Sequence, residues 1–252
     1  MRRLPLAALL CWLSACLVTA VPAEDTRNGE CVILLHGLGR TALSMRTIEA
    51  ALTDAGYCVR NRSYPSRSAD IEWLAAAAIG DGLAYCEWHD ASRIHFVTHS
   101  LGGILVRQYL QDNRIENLGR IVMLSPPNQG SEIAELLKAR PLYRYAAGPA
   151  GAQLGTGNDS VPLHLAPIPG QIGIITGASS LDPWFSPLIP GADDGKVSVE
   201  RARLAEMHDF LVVDHGHTFI MQAGEVIAQI IAFLQTGSFR HEPAGGASAT
   251  GS

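Results

Sequence analysis

Short apolar runs alternate along the chain with longer segments whose apolar residues recur at helical spacing. The short runs are typical of buried strands and the longer ones of amphipathic helices. This alternation predicts an α/β fold, a mostly parallel sheet with helices on both faces. The predicted strands are 32–36, 58–62, 94–98, 121–124, 172–176 and 210–214, and the predicted helices are 43–55, 71–88, 101–111, 197–205 and 223–234.

The segment 130–168 interrupts this alternation with proline, glycine, asparagine and serine residues between two predicted strands. It is predicted to be a short cap inserted over the edge of the sheet. With 252 residues, 47% hydrophobic and 17% charged, the chain is expected to form one globular domain over 24–236. Residues 237–252 are rich in Ala, Gly and Ser and are predicted to be a disordered tail.

The first residues have the features of an export signal. Two arginines precede an apolar run over 4–21, and small residues follow. This order predicts a secretory leader over 1–23, cleaved after Ala20 or Ala23. In an alternative interpretation, the string Leu-Ser-Ala-Cys is a lipobox and Cys16 becomes a lipidated first residue that attaches the protein to a membrane. Both interpretations predict an exported protein, either periplasmic or secreted.

Charge and cysteine content narrow the possible functions. A net charge of −5 without any basic block argues against binding to nucleic acid. Without the leader, three cysteines remain, Cys31, Cys58 and Cys86, which allow at most one intramolecular disulfide. We favour buried thiols over a disulfide. The spacing of cysteines and histidines does not indicate a zinc site.

Ser100 follows a predicted strand and precedes two glycines and an apolar helix. A sharp turn between strand and helix exposes the serine Oγ at the edge of the sheet, where a base and a substrate reach it. The backbone amide of Leu101, at the start of the helix, is predicted to stabilise a developing oxyanion. Serines in glycine-rich turns are common, so this motif needs support from other residues.

A second glycine loop, with the sequence His36-Gly37-Leu38-Gly39, follows the first predicted strand. In sites with an exposed serine, one oxyanion donor follows the nucleophile and the other comes from an earlier loop. The N–H of Leu38 is therefore the second predicted donor. We interpret His36 as a structural histidine.

Two adjacent carboxylates, Asp193 and Asp194, lie in a loop after the predicted strand 172–176. An aspartate at a strand end is able to orient a catalytic imidazole. An acidic surface turn is an alternative, because Asp-Asp-Gly is also good turn chemistry. Calcium binding is a third, but the loop lacks alternating oxygen ligands.

Two histidines, His215 and His217, follow the last predicted strand. The order serine, aspartate, histidine is the one that an exposed serine nucleophile on an α/β sheet requires. We expect Nδ1 of His217 to face Asp194 and Nε2 to face Ser100, with His215 in a supporting position. Metal binding by the pair lacks a third ligand, so the sequence predicts neither metal nor organic cofactor.

Together these motifs resemble those of bacterial α/β-hydrolases of the lipase/esterase group, over the stretch from Cys31 to about Leu234. In that group the string Asp-Gly-x-Val-Ser-Val carries the acid, here Asp194, and the His-Thr string carries the base, here His217. The loop that starts at Ser125 is also similar. Thr98 stands where the group's serine motif has its first glycine. The resemblance implies the α/β-hydrolase fold and an acyl-transfer reaction.

The sequence therefore predicts a carboxylic-ester hydrolase in which Ser100, Asp194 and His217 form a catalytic triad, acting on a small-molecule or lipid ester. Two alternatives remain open at this point. The same acyl-enzyme could transfer its acyl group to an alcohol or amine, or the fold could serve as a non-catalytic binding module. The natural ester and the oligomeric state are not indicated.

Overall fold

The computed structural model describes residues 29–180, 182 and 184–241. The predicted leader over 1–23, with Cys16 and both cleavage positions, lies outside the described residues. Residues 242–252, most of the predicted tail, also lie outside them.

Six strands form one sheet in the order β2-β1-β3-β4-β5-β6, and every neighbouring pair is parallel. The strands are β1 (Glu30–Leu35), β2 (Cys58–Asn61), β3 (Arg93–His99), β4 (Leu118–Leu124), β5 (Gln171–Gly177) and β6 (Asp209–Val213). All six lie where the apolar runs predict them. The central strands are apolar on both sides because helices cover both faces of the sheet. The predicted α/β fold with a parallel sheet is confirmed.

Seven α-helices are found in the described residues: α1 (Arg46–Asp54), α2 (Ile71–Trp88), α3 (Leu101–Asp112), α4 (Glu132–Leu137), α5 (Pro141–Ala152), α6 (Val161–His164) and α7 (Gly224–Thr236). The helices α2 and α3 pack on one face of the sheet, and α1 and α7 on the other. The helices α4 to α6 fall within 130–168, where the sequence predicts the cap. Of the helices that the structure describes, none has the length and hydrophobicity of a transmembrane span.

Both the local sequence and the packing against neighbouring elements stabilise helix α2. It begins after Asp70, whose carboxylate accepts a hydrogen bond from the N–H of Trp73 at 2.9 Å. This cap satisfies one of the N–H groups that the first turn leaves unpaired, which is worth about 1 kcal/mol. The apolar side chains of the helix then pack on β1 and on α3.

Cys31 and Cys86 form a disulfide between β1 and α2, while Cys58 is a free, buried thiol. The prediction of three buried thiols is therefore wrong for two of them. Their Cα atoms are 5.7 Å apart although 55 positions separate them in the chain. The packing of α2 on β1 creates this proximity, which the sequence does not show. A disulfide closing such a loop restricts the unfolded chain.

Residues 197–205 do not form the predicted helix but a series of turns. Val199 donates its N–H to the carbonyl of Ala192, and Ser198 forms an isolated bridge with Asp193. The N–H of Val197 is bound by the Asp194 carboxylate at 2.9 Å. These backbone groups are thus paired with the preceding acidic loop, so a helical ladder does not form.

The predicted tail begins later than residue 237. Phe239 is buried against Phe233 of α7, and its N–H donates to Asp209 Oδ2 at 2.7 Å. Residues 237–241 thus belong to the domain, and the prediction of disorder now concerns residues 242–252 alone.

We expect reduction of the Cys31–Cys86 disulfide to lower the free energy of unfolding by up to about 4 kcal/mol, because the unfolded chain regains the freedom of a 55-residue loop. Urea unfolding of the parent with and without a reductant measures this difference. The double variant Cys31→Ala/Cys86→Ala is the control and should not respond to the reductant. Equal midpoints for the oxidised and reduced parent would contradict the stabilising role.

Candidate active site

Ser100 lies between β3 and α3 at the carboxyl edge of the sheet, with φ 51° and ψ −118°. This left-handed conformation is costly for a residue with a side chain, and it turns the chain abruptly from strand into helix. Gly102 explains why the turn is so tight, because a Cβ there would lie 2.5 Å from the carbonyl oxygen of Leu35. Ser100 is 9% exposed, so the turn presents its side chain to a cavity rather than to bulk solvent.

Thr98, in place of the first glycine of the motif, is accommodated without strain in this turn. It is the last but one residue of β3, fully buried, and its Oγ1 donates to the carbonyl of Val122 at 3.4 Å. A β-branched residue suits this strand end.

Asp194 and His217 are joined by a hydrogen bond of 2.8 Å between Oδ2 and Nδ1. The Asp194 carboxylate is almost fully buried and also accepts the N–H groups of Lys196 and Val197 at 3.0 and 2.9 Å. Burial pulls the pKa of Asp194 upward, but the attraction of His217 and the hydrogen bonds outweigh it and hold the pKa below its ordinary value. The acid is therefore ionised and fixes the tautomer of His217.

Asp193 lies in the same loop, but its carboxylate stabilises the loop by hydrogen bonds and does not contact His217. Its Oδ2 accepts a hydrogen bond from the hydroxyl of Ser186 at 2.6 Å, and its Oδ1 accepts the N–H of Gly195 at 2.7 Å. The two neighbouring carboxylates thus have different partners, and Asp194 is the one directed at the imidazole.

His215 points away from the other candidate residues, since its Nε2 lies 2.8 Å from Glu225 Oε1 on α7. His217, by contrast, is held by its backbone as well as its ring, because its N–H donates to the carbonyl of Asp194 at 2.9 Å. The two histidines have different partners. In the described residues, no group of three or more His, Cys, Asp or Glu side chains is arranged to hold a metal ion.

Ser100 and His217 line the same cavity of about 380 Å³. Among the hydrogen bonds of the described residues, none joins Ser100 Oγ to the His217 ring. Most of the other lining residues are apolar and come from the cap and the strand ends: Leu38, Pro127, Ile133, Ala134, Leu137, Tyr143, Leu154, Phe185 and Val197. The site is thus a mainly apolar chamber whose wall also contains Ser100, His217 and the cationic side chains of Arg40 and Lys196.

The N–H groups of Leu38 and Leu101 donate no hydrogen bond within the described part of the chain. The groups around them are paired, since Gly39 N–H donates to Ser66 Oγ at 2.9 Å and Arg40 N–H to the carbonyl of Gly37 at 3.1 Å. Leu101 is the first residue of α3, where N–H groups have no partner within the helix. Both predicted oxyanion donors are therefore free to bind a ligand.

His99, directly before Ser100, has a role that the sequence analysis missed. It is buried, and its Nε2 lies 3.0 Å from the carbonyl oxygen of His217. A Cβ on Gly37 would lie 2.7 Å from its Nδ1, which has no hydrogen-bond partner. The His99 ring therefore lies between the Gly37 loop and the His217 loop, and its hydrogen bond to the His217 carbonyl holds the second loop in position.

Burial is the main cause that lowers the pKa of His99 well below its ordinary value, and the neighbouring His217 lowers it further. A neutral His99 has one N–H, and the short contact with the His217 carbonyl places it on Nε2. A second imidazolium is therefore absent beside His217, whose ring centre lies 4.9 Å away.

Ser125, at the end of β4, was also missed as a site residue. It is buried with a left-handed φ of 45°, and its hydroxyl forms a hydrogen bond to the Asp194 carboxylate that helps to lower the pKa of that group. Its backbone N–H donates to the carbonyl of Ile175 at 2.8 Å. The sequence alone does not indicate this role, because the positive φ of Ser125 and its position next to Asp194 become visible only when the strands are placed side by side.

His36 is a structural histidine, as the sequence predicts. Its Nδ1 lies 2.9 Å from the carbonyl of Gly37, and its Nε2 accepts the N–H of Tyr64 at 3.2 Å. The ring also stacks on Tyr64 with 4.0 Å between centroids. Burial lowers the pKa of His36, which keeps the ring neutral and the loop that carries Leu38 in place.

Arg107 of α3 anchors the cap from inside the protein. Its guanidinium donates to the backbone carbonyls of Asn128 and Leu165 at 2.8 and 3.1 Å, although it is only 3% exposed. Desolvation lowers its pKa to about 10, so the group stays charged at neutral pH. Both ends of the cap segment are thereby attached to the helix that follows Ser100.

A family model described as "Alpha/beta hydrolase family" matches residues 32–169. Among curated proteins, no significant relative is found. The mature lipase BlEst2 of Bacillus licheniformis is similar in structure, with a TM-score of 0.65 and 17% identity over 82% of this chain and 91% of the lipase.

Two other solved structures show the same likeness. The monoacylglycerol lipase of Paleococcus ferrophilus has a TM-score of 0.56 and 16% identity over 82% of this chain and 95% of the lipase. The metagenomic carboxyl esterase MGS0156 has a TM-score of 0.58 and 18% identity over 75% of this chain and 65% of the esterase. At these identities the likeness establishes the fold.

We expect the stability of the protein to fall with decreasing pH below about 6.5, partly because His99 is held neutral in the folded state and takes up a proton on unfolding. In the variant His99→Gln, which keeps an N–H donor for the His217 carbonyl, this contribution is absent. The slope of the free energy of unfolding against pH between 5 and 6.5 should be smaller by up to about 1.4 kcal/mol per pH unit. Urea unfolding at several pH values tests this, and identical slopes would contradict a neutral His99.

Proposed function

The chain belongs to the alpha/beta hydrolase family, and we propose that it is a serine hydrolase that cleaves carboxylic esters with Ser100 as nucleophile, His217 as base and Asp194 as acid. The observation that carries this proposal is the 2.8 Å hydrogen bond between the buried Asp194 and His217, with Ser100 in the wall of the same cavity. Nucleophile, base and orienting carboxylate in this order are the set that acyl transfer needs.

In the proposed first step, Ser100 Oγ attacks the ester carbonyl carbon while His217 Nε2 takes up the hydroxyl proton. This requires Oγ to come within about 3 Å of Nε2 in the substrate complex, which catalytic groups commonly do only when substrate is bound. Asp194 accepts the Nδ1–H of His217 and stabilises the imidazolium that forms. Because burial and His217 keep His99 neutral, no second imidazolium lies beside this new charge.

The tetrahedral intermediate carries its negative charge on the former carbonyl oxygen. The free N–H groups of Leu38 and Leu101 are the proposed donors to this oxygen, and the start of α3 adds a favourable dipole. A single donor of this kind is worth about 3 to 4 kcal/mol in the transition state. Rigidity matters here, and Tyr64, His36 and Ser66 all hold the Leu38 loop by hydrogen bonds.

Collapse of the intermediate breaks the bond between the carbonyl carbon and the alcohol oxygen, and His217 returns its proton to the departing alcohol. Water then attacks the acyl-enzyme with His217 as base again, releasing the carboxylic acid and restoring Ser100. The apolar lining of the 380 Å³ cavity supports an acyl group of modest length. The similar structures, two lipases and a carboxyl esterase, support an ester as substrate.

We expect Ser100→Ala to abolish labelling by a fluorophosphonate and to reduce kcat for p-nitrophenyl esters on the order of 10⁴-fold or more, because no nucleophile remains. Labelling is read by gel fluorescence and turnover by release of p-nitrophenol, with circular dichroism to confirm folding. Equal labelling of variant and parent would refute a serine nucleophile at position 100.

The two adjacent aspartates supply a matched control for the same assay. Asp194→Asn removes the carboxylate that orients His217 and should reduce kcat by on the order of 10⁴-fold. Asp193→Asn alters a carboxylate that binds only Ser186 and Gly195, so it should keep most of the turnover if the loop remains folded. The reverse order in folded variants would assign the acid to Asp193.

We also propose that the protein is exported, either as a soluble protein or through lipidation of Cys16. The Cys31–Cys86 disulfide supports this, since such bonds persist in oxidising compartments. Mass spectrometry of the protein from its native host should find a first residue near Val21 or Glu24, or a lipidated Cys16. A cytoplasmic chain that retains Met1 would contradict export.

A further inference from the structure

The first turns of α5 expose apolar side chains to solvent on the outer surface of the cap. Leu142 is 80% exposed and Tyr145 is 89% exposed. These two residues are three positions apart, which places them on one side of a helix. We use the term cap face for the exposed side of this helix, which has Arg140 and Arg144 on one flank and Leu142 and Tyr145 on the other.

The cap face is also cationic. Arg140 and Arg144 are exposed, and within the described residues neither guanidinium forms an ion pair or a side-chain hydrogen bond. A third exposed arginine lies beside them, since Arg67 Nη1 is 3.5 Å from the carbonyl oxygen of Ala146. The stretch 138–145 contains three basic residues and no acidic one.

The three acidic side chains of the segment 130–168 bind cations other than Arg140 and Arg144. Glu135 and Asp159 pair with Lys138, and Glu132 pairs with Arg201. The chain as a whole has a net charge of −5, so the free positive charge of the cap face is local. An anionic partner would therefore be attracted to this surface and not to the protein in general.

The same helix connects the cap face to the catalytic cavity. Tyr143 lies between the exposed positions in sequence but is half-buried and lines the cavity that holds Ser100. Leu137, from the preceding helix α4, lines it too, next to the 53% exposed Leu136. A flat partner that covers the cap face would therefore lie close to the mouth of the cavity.

An exposed leucine and an exposed tyrosine next to unpaired arginines match the chemistry of an anionic bilayer surface. Arginines bind lipid phosphates, while the aromatic and aliphatic side chains enter the boundary between headgroups and acyl chains. A folded protein partner would need a larger apolar area than two side chains. We propose that the cap face docks on membranes that contain anionic phospholipids.

Docking through the cap face does not depend on ester hydrolysis, so it is tested on the variant Ser100→Ala. Residues 24–252 contain the whole described fold, and their use removes the apolar leader from the assay. Sedimentation with sucrose-loaded vesicles compares phosphatidylcholine alone with a 7:3 mixture of phosphatidylcholine and phosphatidylglycerol. We expect binding to the anionic vesicles, weaker binding in higher salt, and little binding to phosphatidylcholine alone.

Arg140→Gln/Arg144→Gln should weaken binding to the anionic vesicles about 30-fold, since each arginine near the surface contributes about a factor of five. Leu142→Ser/Tyr145→Ser should also weaken binding to the anionic vesicles, but the dependence of this binding on salt concentration should stay the same. The control is Arg114→Gln/Arg240→Gln with Trp88→Ala, which removes two exposed arginines, of which Arg114 is paired with Glu116, and one exposed aromatic side chain at the opposite edge of the sheet. This control should bind as the parent does.

Three results would overturn the proposal. They are no sedimentation of the Ser100→Ala protein with anionic vesicles, equal binding of this protein to both vesicle types, or equal losses of binding in the cap-face and control variants. None of them bears on the nucleophile, because fluorophosphonate labelling of Ser100 in the parent is read without a membrane. Failure of docking and failure of the proposed hydrolase activity are thus distinguishable.

Discussion

The close approach of α3 to β1 is the constraint on which the geometry of the site depends. The two backbones meet at Gly102 and Leu35, where there is no room for a Cβ. This contact forces the chain to turn within one residue, and Ser100 takes the left-handed conformation that results. Strain of this kind costs about 1 to 3 kcal/mol. Complete burial of Leu101, Ile104 and Leu105 in the core holds the helix in place against it.

Around this turn, the protein buries polar groups and keeps most of them uncharged. His36, His99 and Ser125 are all buried, and each forms hydrogen bonds that position a neighbouring loop. Asp194 and His217 thus interact in surroundings of low polarity, where electrostatic effects are stronger than in water. Because His36 and His99 are neutral, they add no positive charge that would oppose a positive charge on His217.

The sequence was sufficient for the parts of the fold that local patterns determine. All six strands and most of helices α2, α3 and α7 follow from apolar periodicity, and the loops that contain Ser100, Asp194 and His217 follow from their positions after predicted strands. The helix predicted over 197–205 was wrong because the Asp193–Asp194 loop binds its backbone groups. Contacts between distant segments were beyond reach, including the Cys31–Cys86 pair and the hydrogen bond from Ser125 to Asp194.

Arg107 has a consequence for how this architecture could vary. Its guanidinium binds the carbonyls of Asn128 and Leu165, so two points 37 positions apart in the chain meet on one buried side chain. Any amino acid supplies the two main-chain oxygens, whereas the Oδ1 of Asn128, 3.4 Å from the same guanidinium, is a contact that depends on the residue. The intervening segment is therefore a module with fixed attachment points. Its sequence and length can therefore differ while Ser100, directly before the first residue of the same helix, keeps its place. A chimera that exchanges residues between these two carbonyls would alter the chamber over Ser100 and leave Ser100, Asp194 and His217 on their original scaffold.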